Sequence, residues 1–157
     1  MYKSITAAGE SPKDLRQLVQ GFVRNFGLLD QSHTPCGRVM AVSEAHALME
    51  IMQSPGMGQL ELSQRLCLSK SAVSRLIARL ESRALVRMSR HNEDGRACCL
   101  GLTAKGKRLA AGVDQSSLEL FDRIISALPE EKKEQLLESL SLLISAVRQS
   151  REGMTHE

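Results

Sequence analysis

The chain has 157 residues, 42% hydrophobic and 25% charged, with a net charge of +3. That length suits one core plus terminal arms, the composition is not that of a disordered polymer, and no apolar run approaches the roughly 18 residues a membrane-spanning helix needs. Aromatic residues make up only 3%, with no Trp; the stacking platforms that hold single strands or splayed RNA loops are therefore largely missing, and a nucleic-acid partner would be a duplex.

Met1 to Glu10 has no cationic flank followed by an apolar stretch, so no secretory signal is expected and the cytoplasm is the expected compartment. From Ser11 to Leu29, Leu15, Leu18, Val19, Phe22, Phe26 and Leu29 fall at helical spacing. Ser11 stands as N-cap, Pro12 at the first helical position and Asp14 near the positive dipole end, which predicts an amphipathic helix. Between Asp30 and Val42 the periodicity lapses around Pro35 and Gly37, predicting a loop. A second helix is expected from Ser43, with Ala45, Leu48, Met49 and Met52 turned inward and Ser54-Pro55-Gly56 ending it. Next comes GQLELSQRLCLSKSAVSRLIARLESRALV, two helices parted by a short break at Leu68 and Ser69. Val86 to Leu102 reads as a hairpin, since Asp94-Gly95 lies between two strand-like runs.

A long helix is expected from Thr103 to Leu128, in which Gly106 and Gly112 each cost about 1 kcal/mol relative to alanine. Pro129 stops it and opens a last helix reaching Gln149, with Glu130, Glu131 and Glu134 where the dipole favours acid. Leu136, Leu140, Leu143 and Val147 repeat at alternating spacings of four and three, with Leu137 and Ile144 alongside; so wide a stripe wants a helical partner. The tail from Ser150 is expected to fray.

The segment Lys70 to Arg83 carries the functional signal. On a helical wheel Val73, Leu76, Ile77 and Leu80 fall on one side and Ser71, Ser74, Arg75 and Ala78 on the other. Small residues around one arginine let such a helix sink into a major groove, where Arg75 reaches guanine and Ser71 and Ser74 meet base edges. Lys70 and Arg79 flank this face and suit phosphates. Ser69 is the expected N-cap, beside amides that receive a phosphate oxygen. A short helix, a tight break, a cationic helix and a hairpin form the winged helix-turn-helix order.

With those residues in view, the sequence resembles the MarR family of bacterial transcription regulators from Leu15 to Val147. The most specific matches are LELSQRLCLSKSAVSRLIARLESRALV and NEDGRACCLGLT. The resemblance implies a mainly α, winged helix-turn-helix fold with a small β-hairpin wing, and a helical dimerisation region built from the first and last helices. It also implies a homodimer on double-stranded DNA, with no membrane partner. In the family an Asp-x-Arg element at the wing tip stabilises the hairpin and contacts DNA; the matching residues are Asp94 and Arg96, and Arg90 is also assigned to the wing. The expected division is 11–42 and 103–150 for dimerisation, 43–102 for the winged helix-turn-helix, and arms at 1–10 and 151–157. Ala84 departs from the family, which usually has glycine there; a left-handed backbone would strain an alanine.

No nucleophile with a base, paired carboxylates or phosphate loop stands out, so the chain is not expected to be an enzyme and no cofactor is required. The four cysteines, Cys36, Cys67, Cys98 and Cys99, have neither C-x-x-C nor zinc spacing and fit a reduced compartment. The resemblance implies a small hydrophobic effector in the cleft between the dimerisation and DNA-binding regions. The alternative signal is a metal ion or an oxidant: His33 and Cys36 precede a helix bearing Glu44, His46 and Glu50, and thiolate and imidazole suit zinc or a softer ion. Glu44 and His46 diverge around that helix, whereas His46 and Glu50 lie one turn apart. A reading of another class is a winged-helix protein-interaction module without DNA contact, against which Lys70, Arg75, Arg79 and Arg96 argue.

Overall fold

Pro12 at the first helical position and Gly27 just past the last, where the backbone turns left-handed at φ 83°, bracket α1 (Pro12–Phe26). The Ser11 hydroxyl donates to Asp14 Oδ2 (2.9 Å) instead of capping a backbone amide. This computed structural model describes residues 11–90 and 98–154. After α1 come α2 (Val42–Gln53), α3 (Gln59–Leu66), α4 (Lys70–Ser82), β1 (Val86–Arg90), β2 (Cys98–Leu102), α5 (Ala104–Ser126) and α6 (Glu130–Met154). The mainly helical fold with one antiparallel hairpin is the expected one. The chain divides into two units, Met1–Ser117 and Leu118–Glu157.

The first unit is built around the inward face of α4. Val73, Leu76, Ile77 and Leu80, the four residues expected there, are all buried and pack with Leu48 and Ile51 of α2, Leu62 of α3 and Leu100 of β2. The face of α2 is a correction. Glu44, Ala45, Ala47, Leu48 and Ile51 are buried, while Met49 and Met52 are only partly covered at its edge. The core also takes in Ala110 and Val113 of α5, so it does not end at Leu102.

Two turns explain how α4 is aimed. Between α3 and α4, Cys67 adopts a left-handed conformation (φ 53°), Leu68 N donates back to Ser63 O (3.1 Å) and the Ser63 hydroxyl donates to Leu68 O (2.6 Å). That closes the helix-turn-helix break with its buried hydroxyl satisfied. After α4, Leu85 N donates to Leu80 O (2.9 Å) and Ala84 N to Glu81 O (2.8 Å), a Schellman ending with Leu80 and Leu85 both buried.

Its left-handed residue is Ala84, at φ 55° and exposed. The left-handed conformation costs an L-residue about 1–2 kcal/mol, whereas glycine loses about 0.5–1 kcal/mol more backbone entropy on folding. Ala84→Gly is therefore expected to stabilise the chain by about 0.5–1 kcal/mol. A urea midpoint no higher than that of the unmodified protein would contradict the strain.

Strands β1 and β2 pair antiparallel from Val86↔Leu102 to Arg90↔Cys98. Their inner face buries Val86, Leu100 and Leu102. The run Gly56-Met57 docks on the free edge of β2: Gly56 N donates to Leu100 O and Leu100 N to Met57 O, both at 2.9 Å. Gly56 serves this junction with φ 91°, so its role is a backbone turn beside a sheet edge. The wing residues Asp94 and Arg96 lie outside the described residues. Thr103 links the wing to α5, its hydroxyl donating to Ala84 O (2.7 Å) and accepting from Gly106 N (3.0 Å).

In the second unit, α6 continues to Met154, five residues past the expected end at Gln149. No proline interrupts Ser150 to Met154, and i→i−4 bonding simply propagates. Leu136 (39% exposed), Leu140 (45%) and Val147 (50%) form an uncovered stripe on α6, with Leu143 half-buried. Helix α1 of the first unit has no buried residue at all and exposes Leu15, Leu18, Val19 and Phe22. No described helix is long and apolar enough to cross a membrane.

Candidate nucleic-acid interface

Because the apolar residues of α4 all turn inward, its remaining arc faces solvent: Ser71, Ser74, Arg75, Ala78 and Ser82 are exposed, with Lys70 and Arg79 at the sides. Arg75 makes no hydrogen bond or ion pair with the described residues, so its five guanidinium donors are available to a partner. The helix begins as expected, with Ser69 Oγ accepting from Ala72 N (3.2 Å) and sharing a hydrogen bond with Ser71 Oγ (3.2 Å). The capping bond spends only one of the amides at that end, leaving others beside Lys70 for a phosphate oxygen.

Arg79 is placed differently from a freely solvated flank cation. Its Nε lies 3.5 Å from Glu44 Oε1 of α2, and Arg83 Nη1 donates to Glu44 Oε2 at 2.7 Å. Sequence reasoning assigned Arg79 to phosphate and gave Arg83 no role. The signal that could have found the pairing was Glu44 itself: three residues before Ala47 and four before Leu48, it sits on the buried arc of α2, where a carboxylate requires a cation. In the wing, Arg87 lies across Gly101 on the outer face, where a Cβ at 101 would meet Arg87 Nε at 3.7 Å. Of Arg90, the third assigned wing residue, the structure gives the pairing with Cys98 in the hairpin register.

Of the residues assigned to a metal or thiol signal, His33, Cys36 and Glu50 have local partners. His33 Nδ1 lies 3.3 Å from Asp30 Oδ2, and Asp30 also accepts from the Ser32 hydroxyl (2.7 Å) and the Ser32 amide (2.8 Å). Those two Ser32 bonds, with smaller help from His33, hold the Asp30 pKa down at about 2. Cys36 Sγ is 3.1 Å from Thr34 Oγ1. Glu50 accepts from Arg65 Nη1 (3.0 Å). His46 is exposed on the far side of α2 from Leu48 and Ile51. Among the described residues, no three His, Cys, Asp or Glu side chains are grouped so as to hold a metal ion. The nearby Arg38 has a structural task, donating to Gly112 O (2.6 Å) and Ser116 Oγ (3.0 Å) of α5.

Comparison with known proteins agrees with this architecture. Residues 41–98 match the family model described as MarR family. Over 93 residues the chain is 30% identical to the HTH-type transcriptional regulator BilQ of Clostridium symbiosum (strain WAL-14163). That match covers 59% of this chain and spans 65% of the relative's length. The fold is similar to Streptococcus pneumoniae FabT solved in complex with DNA, with a TM-score of 0.78 at 18% identity, covering 88% of this chain and 99% of that one. It is also similar to PcaV from Streptomyces coelicolor solved in complex with its natural ligand, with a TM-score of 0.68 at 19% identity, covering 91% and 99%. A third likeness is the S. aureus MepR–DNA complex, with a TM-score of 0.64 at 21% identity, covering 88% and 99%. In its matched core, residues 41–98, the chain resembles the MarR family, and the order of its elements is similar to that of the solved winged helix-turn-helix proteins.

Proposed function

We propose that the chain is a sequence-specific regulator of transcription that binds duplex DNA as a homodimer and acts as a repressor released by a small hydrophobic effector. The observation that carries this reading is the exposed arc of α4, in which Arg75, without a partner among the described residues, stands between serines and an alanine. Short side chains let the helix backbone approach the groove floor, and the single long cation supplies the bidentate donor that guanine accepts. The surface is therefore suited to binding and not to catalysis. FabT and MepR were both solved with DNA, and BilQ is a transcriptional regulator, which supports the same reading; the ligand complex of PcaV supports the effector.

The second copy is argued from the apolar stripes on α1 and α6. Side chains such as Phe22, at 56% exposure, and Leu140, at 45%, would each gain on the order of 1 kcal/mol or more on burial. A two-fold partner covers the same surface on both copies at once. Removing residues 129–157 is expected to abolish dimerisation, and sedimentation should then report monomer or aggregate. A truncated chain that remains a stable dimer would contradict the role of Leu136, Leu140, Leu143 and Val147.

The DNA-binding reading is tested by fluorescence anisotropy with a duplex from the region upstream of the chain's own gene, titrated with salt. If the protein neutralises several phosphates, affinity falls steeply and log-linearly with salt. Absence of retention at low salt would overturn the reading.

A further inference from the structure

We propose that Glu44 is a positioning residue for DNA binding: it holds Arg79 and Arg83 as paired phosphate-binding prongs on the flank of α4, and so strengthens binding to a polyanion despite its own negative charge. This rests on the DNA-binding reading. The Glu44 side chain is 9% exposed, whereas Arg79 and Arg83 are 54% and 43% exposed. The carboxylate therefore holds the inner edges of the two guanidinium groups, Arg79 through Nε at 3.5 Å and Arg83 through Nη1 at 2.7 Å. Beyond that contact both arginine side chains stay well exposed. Arg79 lies in the last turn of α4 and Arg83 is the residue that caps its end, four positions on, beside the exposed Ser82 and Arg75 of the proposed groove-facing arc.

An unrestrained arginine loses side-chain entropy when it closes on a phosphate, and a buried partner that fixes its plane beforehand removes part of that loss. Planar guanidinium groups suit this use, because a fork occupied on one edge still presents donors on the other. Charge arithmetic and positioning predict opposite signs. If Glu44 merely offsets positive charge, its neutralisation should tighten binding to DNA and steepen its dependence on salt. If it positions the arginines, neutralisation loosens binding and makes that dependence shallower.

The test compares the full-length wild-type protein with Glu44→Gln, a near-isosteric change, by anisotropy on a mixed-sequence duplex across a salt series. The same duplex is then titrated with Arg79→Ala and Arg83→Ala, alone and in the Glu44→Gln background. Wild type should bind with a steep salt slope. Glu44→Gln should bind about 3- to 10-fold more weakly, with a slope smaller in magnitude by about 1, the share of one phosphate contact. Each arginine deletion should then cost less in the Glu44→Gln background than in wild type, a coupling that a residue serving stability alone would not produce. Thermal melting confirms that each variant is folded at the temperature used, and the cycle is read from folded variants only. Equal or tighter binding by folded Glu44→Gln, or additive arginine effects, overturns the proposal while leaving the DNA-binding reading intact. Failure of the wild type itself to bind the duplex overturns both.

Discussion

Gly106→Ala is expected to destabilise the first unit by more than about 3 kcal/mol, beyond the usual penalty for overpacking a core. A Cβ at residue 106 would stand 1.9 Å from Leu85 O and 2.9 Å from the Leu85 carbonyl carbon. Both are backbone atoms, and neither can rotate away. The same carbonyl already accepts from Thr103 N (3.1 Å), and Leu85 is the buried residue that closes the end of α4. Relief would have to move the start of α5 and the end of α4 together. Helix propensity alone predicts the opposite sign, a gain of about 1 kcal/mol for alanine, so a urea unfolding series decides between them. Gly21 is the control: it lies within α1 and a Cβ there would meet nothing within 4 Å, so Gly21→Ala should raise the midpoint. A Gly106→Ala protein as stable as wild type would mean that α5 does not approach Leu85 as described.

This glycine also shows what was legible in the sequence and what was not. Composition and spacing identified Gly106 as a cost to the helix, but the reason for bearing it is a contact with a carbonyl far earlier in the chain. The inward face of α4 was legible because four apolar residues at helical spacing leave a single solution. The face of α2 was misread because Met49 and Met52 weigh more in hydropathy than Ala47, and because a glutamate is assumed to face water. Glu44 is inside only because Arg79 and Arg83, remote in sequence, meet it there. Of the site, Ser69, Ser71, Ser74 and Arg75 could be placed from local pattern, since an N-cap and a solvent-facing arc are properties of one helix. The Arg79 pairing could not, because it depends on how two helices cross. The end of α6 was set too early for want of a stop signal, and Glu130–Met154 is what an uninterrupted helical pattern produces.

Arg75→Ala is expected to remove base discrimination at one position in each half-site, worth about 1–3 kcal/mol per contact. Arg75 is exposed at the centre of the outward arc of α4 and makes no bond to the described residues. Its removal should therefore leave folding stability within about 0.5 kcal/mol of wild type. Loss of binding without loss of stability is the signature of a contact residue. Competition with duplexes changed one base pair at a time would show the preference at that position flattened and the others retained. A uniform loss across all sequences would instead assign Arg75 to phosphate, and unchanged discrimination would remove it from base reading altogether.

The central claim is that two copies of the chain present α4 to successive major grooves, and selection from a pool of randomised duplexes tests it most directly. An inverted repeat whose half-site centres lie about 10 base pairs apart, one helical turn, is expected to be enriched, as two-fold symmetry requires. Arg75→Ala, carried through the same selection, should lose the preferred base at the symmetric positions of both halves. Enrichment of a single asymmetric site, or of no sequence at all by a protein that is folded and dimeric, would contradict it.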